Sequence, residues 1–174
     1  MKNLLKRLAA IASAAALTTA SAPAVSIAAD NKFPLIVEGE DMEGAELWTS
    51  IYADEFPDYS GKGFTYLTGG EVSFKVTVPE DAMYSIVVRG VQILDQGGRY
   101  ETVAVNGSEY SKTVPYADKW TDFDFGMVRL KKGENTISFL NKYGYMAIDY
   151  VTVSEAVFPD LSGASDTPCD PDAT

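Results

Sequence analysis

Val72, Phe74, Val76 and Val78 alternate with Ser73, Lys75 and Thr77, the period of two expected of a strand with one buried face. Pro79-Glu80-Asp81-Ala82 then turns the chain into a second run over 83–91, where Tyr84, Ile86 and Val88 share a face. Val103 and Val105 precede Asn106-Gly107, the strongest short signal for a hairpin. Lys131-Lys132-Gly133 separates a strand ending at Leu130 from another carrying Ile137 and Phe139, and a last strand is predicted over 145–153. Further strands are expected over 35–40, 45–52 and 64–67. No segment sustains a helical period. Eight to ten short strands with turns at this spacing predict an all-β fold, a β-sandwich or jelly roll in a single domain.

The two ends of the chain depart from this pattern. Lys2, Lys6 and Arg7 precede an apolar, alanine-rich stretch over 8–20, and Ser26-Ile27-Ala28 or Ile27-Ala28-Ala29 supplies small residues for cleavage. Residues 1–29 are therefore expected to be a secretory signal peptide cut after Ala28 or Ala29, which predicts an extracellular protein. Residues 33–155 are the expected domain, and 156–174 a tail whose Ser, Pro and Asp content suits a linker. A linker at this position suggests either a fragment of a longer chain, where a downstream catalytic domain could follow, or a lost downstream module. Export permits disulfides, but Cys169 is the single cysteine.

Composition narrows the function. The 174 residues include no histidine, which removes Ser-His-Asp and Cys-His nucleophiles and the usual zinc ligand. The net charge of −11 falls to −14 when the three basic leader residues are removed. Such acidity argues against nucleic acid and against anionic membrane surfaces as partners.

Glu38 and Glu40 stand two apart on the first predicted strand, so both carboxylates are expected on one face. Asp149 interrupts an apolar strand between Ile148 and Tyr150. Carboxylates in this pattern have three readings: solvated surface charges, an acid/base pair for glycoside hydrolysis, or oxygen ligands for a hard cation such as Ca²⁺.

The segment over 37–43, Val-Glu-Gly-Glu-Asp-Met-Glu, resembles the opening strand of carbohydrate-binding module family 35 and its neighbour family 6. Tyr59-Ser60-Gly61-Lys62-Gly63-Phe64 is similar to their Ser-Gly-x-Gly-aromatic turn, Val105-Asn106-Gly107 to their hairpin, the stretch over 130–137 to their Leu-x-x-Gly-x-Asn-x-Ile, and Ile148-Asp149-Tyr150 to their final strand. The series runs in order over about 35–154. Gly39 replaces the family's alanine, a change expected to be sterically harmless. Ala147-Ile148 stands where related modules often carry a ligand-binding Asn.

The resemblance implies a secreted, non-catalytic jelly roll that binds plant cell-wall polysaccharide or its oligosaccharides. It also implies a structural Ca²⁺ held by Glu38, Glu40, Asp149 and a backbone carbonyl near Lys62. Sugar rings stack on aromatic side chains while their hydroxyls take polar partners. The expected carbohydrate contacts are Trp120, placed in a loop just before a strand, Tyr143 and Tyr145 around Gly144, and Tyr66, with Arg99 and Gln92 as hydrogen-bond donors. Phe64 and Tyr84 suit core packing, and the face around Trp48 and Tyr52 is the alternative ligand surface. The Tyr-Gly-Tyr loop is most similar to mannan-binding members attached to secreted mannanases, and no extra acidic cluster marks that loop. Xylan, galactan and pectin remain as other ligands. An adhesion or assembly module binding protein through the same loops, or the N-terminal piece of a glycoside hydrolase, is the alternative.

Overall fold

The computed structural model describes residues 33–158 and the backbone of Ser26–Ile27. The predicted tail beyond 158 lies outside the described residues. So does the predicted leader, except for β1 (Ser26–Ile27), which pairs in parallel with Lys75 and Val76.

Two sheets face each other. The first has the order β1–β6–β11–β8–β9, with β6 Glu71–Val78, β8 Arg99–Val105, β9 Ser108–Val114 and β11 Gly133–Leu140. The second has the order β10–β7–β12–β2, from β2 Leu35–Glu38, β7 Ala82–Gln92, β10 Ala117–Leu130 and β12 Ala147–Glu155. Short β5 (Thr65–Tyr66) also pairs with β12, and β3 (Ser50–Ile51) with β4 (Asp54–Glu55). Eight strands have four residues or more. This is the jelly roll that the alternation predicts.

The inward faces follow the period of two. Val72, Phe74, Val76 and Val78 of β6 meet Tyr84, Ile86 and Val88 of β7 and Val151 and Val153 of β12 in one core. Phe125 of β10 packs edge-on against Phe139 of β11, with centroids 5.8 Å apart, and so ties one sheet to the other. Burying each such side chain contributes about 1.5–3 kcal/mol before entropy is counted. Asn106 and Gly107 adopt φ of 50° and 80°, the left-handed pair a two-residue hairpin requires, and β8 and β9 meet across them at Val105 and Ser108.

Three expectations need correction. The strand over 35–40 stops at Glu38, because residues Gly39–Asp41 form a 3-10 turn. Gly39 is not a harmless substitute for alanine here, since a Cβ would overlap the carbonyl oxygen of Ile148. The strand over 45–52 reduces to a bridge between Trp48 and Phe64 and the two-residue β3, broken at Tyr52 and Ala53, whose φ are 53° and 70°.

Candidate functional site

Two constellations of polar and aromatic side chains form beside a smaller satellite core. That core contains Ile51, Phe64, Tyr66, Val91 and Ala147, flanked by half-buried Trp48, Phe56, Tyr59, Ile93 and Trp120.

The first constellation gathers the predicted metal ligands. The ladder between β12 and β7 slips between Ile148 and Tyr150, and the residue left over at such a bulge is free of the ladder. That residue is Asp149, fully buried. Its Oδ1 accepts the Ser60 amide at 2.7 Å and the Ser60 hydroxyl at 3.0 Å, and its Oδ2 accepts Arg89 Nε at 3.0 Å. Ser60 Oγ also reaches Glu38 Oε2, and Glu40 Oε1 accepts the Lys62 amide at 2.6 Å. Gly61 lies between them at φ 57°, where a Cβ would overlap the Glu40 carboxylate.

These residues fit a hard cation by their chemistry. Ser60 has one hydroxyl proton and two carboxylate oxygens beside it. Glu40 Oε2 is buried with no partner, a cost of about 1–3 kcal/mol or more for a charged group. Among the described residues, Asp149 alone of the three carboxylates pairs with a cation, Arg89. The set supplies the oxygen ligands that Ca²⁺ takes. Among the described residues no three acidic, histidine or cysteine side chains close on a single point. The turn over 60–62 stands between these carboxylates and donates hydrogen bonds to all three.

The second constellation joins four of the six predicted sugar contacts. β5 pairs Tyr66 with Ala147, and the Leu67 amide bonds Met146 O at 3.1 Å, so β5 lies against the loop over 141–146. Arg99 opens β8 on the other side of that loop. Its Nη2 donates to Tyr143 O, and its guanidinium carbon lies 4.4 Å from the Tyr143 ring centroid and 5.4 Å from that of Tyr145. Such a cation over a ring is worth about 0.5–2 kcal/mol. Tyr143 is 58% exposed and Tyr52 65%. The hydroxyls of Tyr52 and Tyr66 are 3.4 Å apart. Burial first, then Tyr52, raises the Tyr66 phenol above its ordinary pKa, and the Arg99 charge draws it partly back. Tyr66 itself is buried, packed edge-on against Trp48 at 5.4 Å.

Two predicted contacts stand elsewhere. Gln92 is fully buried, and its carboxamide is consumed: Nε2 donates to Asp95 O and Val114 O, while Oε1 accepts the amides of Leu94 and Asp95. It staples the loop after β7 and has nothing left to offer a hydroxyl. Trp120 lies within β10, not in a loop. Its ring packs on Phe64 at 5.1 Å and Phe56 at 6.3 Å, and its indole N–H donates to Pro57 O at 2.8 Å. It borders a cleft of about 550 Å³ with Phe56, Asp58, Arg89 and Lys119.

The sequence reading passed over Glu101 and Arg89. Glu101 is 1% exposed, and neither carboxylate oxygen has a hydrogen-bond partner of ordinary geometry. It fills the space under Gly144 where a Cβ would stand, so an acidic group does meet the Tyr-Gly-Tyr loop, from β8. Burial raises its pKa from 4.5 to about 7 against the opposing pull of Arg99 and the Tyr145 amide. The signal was present in the alternation: Arg99 and Glu101 continue the inward register of Val103 and Val105.

The architecture is a small β-sandwich whose loop end carries aromatic and arginine side chains. The profile of carbohydrate binding module family 35 matches residues 42–156, and the chain belongs to that family of non-catalytic modules. A mannan endo-1,4-beta-mannosidase from Thermothelomyces thermophilus is 30% identical over 102 residues, 55% of this chain and 20% of that enzyme. The crystal structure of a ruminal GH26 endo-beta-1,4-mannanase superposes with a TM-score of 0.75 at 54% identity, over 83% of this chain and 30% of its own. A family 35 module from Clostridium thermocellum shares the fold, with a TM-score of 0.56 at 20% identity over 71% of this chain and 98% of its own. The chain thus spans about a fifth to a third of the mannan-degrading enzymes it resembles.

Proposed function

We propose that this chain is the exported mannan-binding module of a mannan-degrading enzyme, and that it grips the polysaccharide on Tyr143 and Tyr145 with Arg99 between them. The observation that carries this reading is the Arg99 guanidinium laid against the exposed Tyr143 ring, a pairing of apolar face and hydrogen-bond donors. Sugar rings stack on such faces and their hydroxyls take such donors. Tyr52 and Tyr66 border the same surface, and Trp120 contributes an apolar edge at the neighbouring cleft. The likeness to mannan-cleaving relatives favours β-mannan over xylan, galactan or pectin, and supports a catalytic domain elsewhere in a longer chain. The basic and apolar N-terminal pattern supports export.

Ca²⁺ belongs to this reading as a structural ion, held by Glu38, Glu40, Asp149 and the backbone carbonyl of Lys62. When bound it would neutralise the excess carboxylate charge. The chain's own contribution is the Ser60–Lys62 turn, which holds β2 against β12 through side-chain hydrogen bonds.

Affinity electrophoresis through soluble galactomannan, xylan, galactan and pectin tests the proposal. Retardation in galactomannan, lost in Tyr143→Ala, is expected. Equal migration in all four gels overturns it.

A further inference from the structure

Glu101 lies on the inward face of β8 two residues from Arg99, with its carboxyl against Gly144. Both of its oxygens and Arg99 Nε are buried without partners. The loop that displays Tyr143 and Tyr145 therefore rests on a carboxyl whose hydrogen-bonding capacity is unspent, beside a guanidinium committed to Tyr143. A buried carboxyl in that condition is tolerated when neutral and costly when ionised.

We propose that Glu101 is a positioning residue for the sugar site, and that its protonation state couples polysaccharide binding to pH. Neutral, it lets the loop close over it and leaves Arg99 on the Tyr143 ring. Ionised, it draws Arg99 toward itself or lifts Gly144 to admit water, and either movement breaks the Arg99–Tyr143 platform. The groups around it are few. Arg99 lies on its own strand. Lys112 is its register partner on β9. The loop brings Tyr143, Tyr145 and Lys142, the last paired with Glu109. The Tyr145 amide lies near enough to oppose the rise in its pKa, but no side chain among these donates to Glu101 and neither oxygen has a hydrogen bond of ordinary geometry. Burial places its titration at about 7, within the range where a secreted protein works.

The inference rests on the sugar site assigned above, and the test separates the two. Calorimetric affinity for a soluble manno-oligosaccharide is measured from pH 5 to pH 9 for the wild type, Glu101→Gln and Tyr143→Ala, with near-ultraviolet circular dichroism confirming the fold at each pH. The wild type is expected to weaken by about tenfold on passing from pH 6 to pH 8.5, and Glu101→Gln to hold one affinity throughout. If the two profiles coincide while Tyr143→Ala loses binding, the site stands and Glu101 does not position it. If Tyr143→Ala binds as the wild type does, the site reading falls and the coupling falls with it.

Discussion

Ser60 places both its amide and its hydroxyl on one oxygen of Asp149, at 2.7 and 3.0 Å. A residue 89 positions away in sequence is thereby clipped to the bulge of β12, and the other carboxylate oxygen takes Arg89. Removing one partner from a buried pair leaves the other charge uncompensated, at about 3–5 kcal/mol. Arg89 keeps some solvent access, so the lower end applies. Asp149→Ala is expected to destabilise by about 3 kcal/mol in urea unfolding, and Ser60→Ala by about 1 kcal/mol. Equal stability of Asp149→Ala and wild type would show that the clip contributes nothing.

Calcium linkage gives a second expectation. Ligand stabilisation scales as RT ln(1 + [L]/Kd), so roughly 3–4 kcal/mol accompanies a cation far above its Kd. Chelation should lower Tm in the wild type and much less in Glu40→Gln, whose unpartnered oxygen is the clearest vacancy in the polar network. A melting curve indifferent to chelator disproves the metal assignment.

Stability should also depend on pH through Glu101. Its pKa of about 7 in the fold exceeds the ordinary 4.5, so the folded protein binds more protons between those values. The cost is absent below about 4.5, grows as pH rises through 7, and is constant above, reaching up to roughly 3 kcal/mol. The Tm advantage of Glu101→Gln over wild type is therefore expected to widen from pH 5 to pH 8. A constant difference across that range would mean that Glu101 does not titrate there.

Alternation made the sandwich legible, because β6, the stretch of β7 from Tyr84 to Gly90 and the end of β12 from Asp149 to Val153 keep the period of two. The Asn106-Gly107 turn was equally readable, since few other pairs adopt two successive left-handed conformations. What failed has physical causes. Trp120 reads as loop because its neighbours are polar, yet β10 is half-exposed along its length and polar residues are what its outer face requires. Gln92 reads as a donor beside a loop, whereas the loop itself consumes its amide. Glu101 was missed because a charge within an inward register looks like a break in a strand. Its meaning depends on Gly144, 43 positions away, which only the fold brings above it.

Gly144→Ala tests that long-range contact directly. A methyl group there would overlap the Glu101 carboxyl, and overpacking of this kind costs about 1–3 kcal/mol. The loop can relieve it by rising, so the loss is expected more in mannan affinity than in Tm. Pairing it with Glu101→Ala, which vacates the space, should restore part of the affinity. Independent, additive losses in the double variant would show that the two residues do not press on one another.

Trp120 and Tyr143 separate packing from binding. Trp120 is wedged between Phe64 and Phe56 with its indole nitrogen occupied by Pro57, so truncation opens the satellite core. Trp120→Ala is expected to destabilise by about 3 kcal/mol and to weaken mannan binding less than tenfold. Tyr143 is exposed and carries the Arg99 guanidinium over its ring. Tyr143→Ala should leave Tm within about a degree while removing a stacking face worth about 1–2 kcal/mol, a five- to thirtyfold rise in Kd. Tyr145→Ala should fall between them, because its ring lies farther from the guanidinium. The reverse pattern, with Trp120→Ala abolishing binding at unchanged Tm, would move the sugar to the cleft beside Arg89 and Lys119.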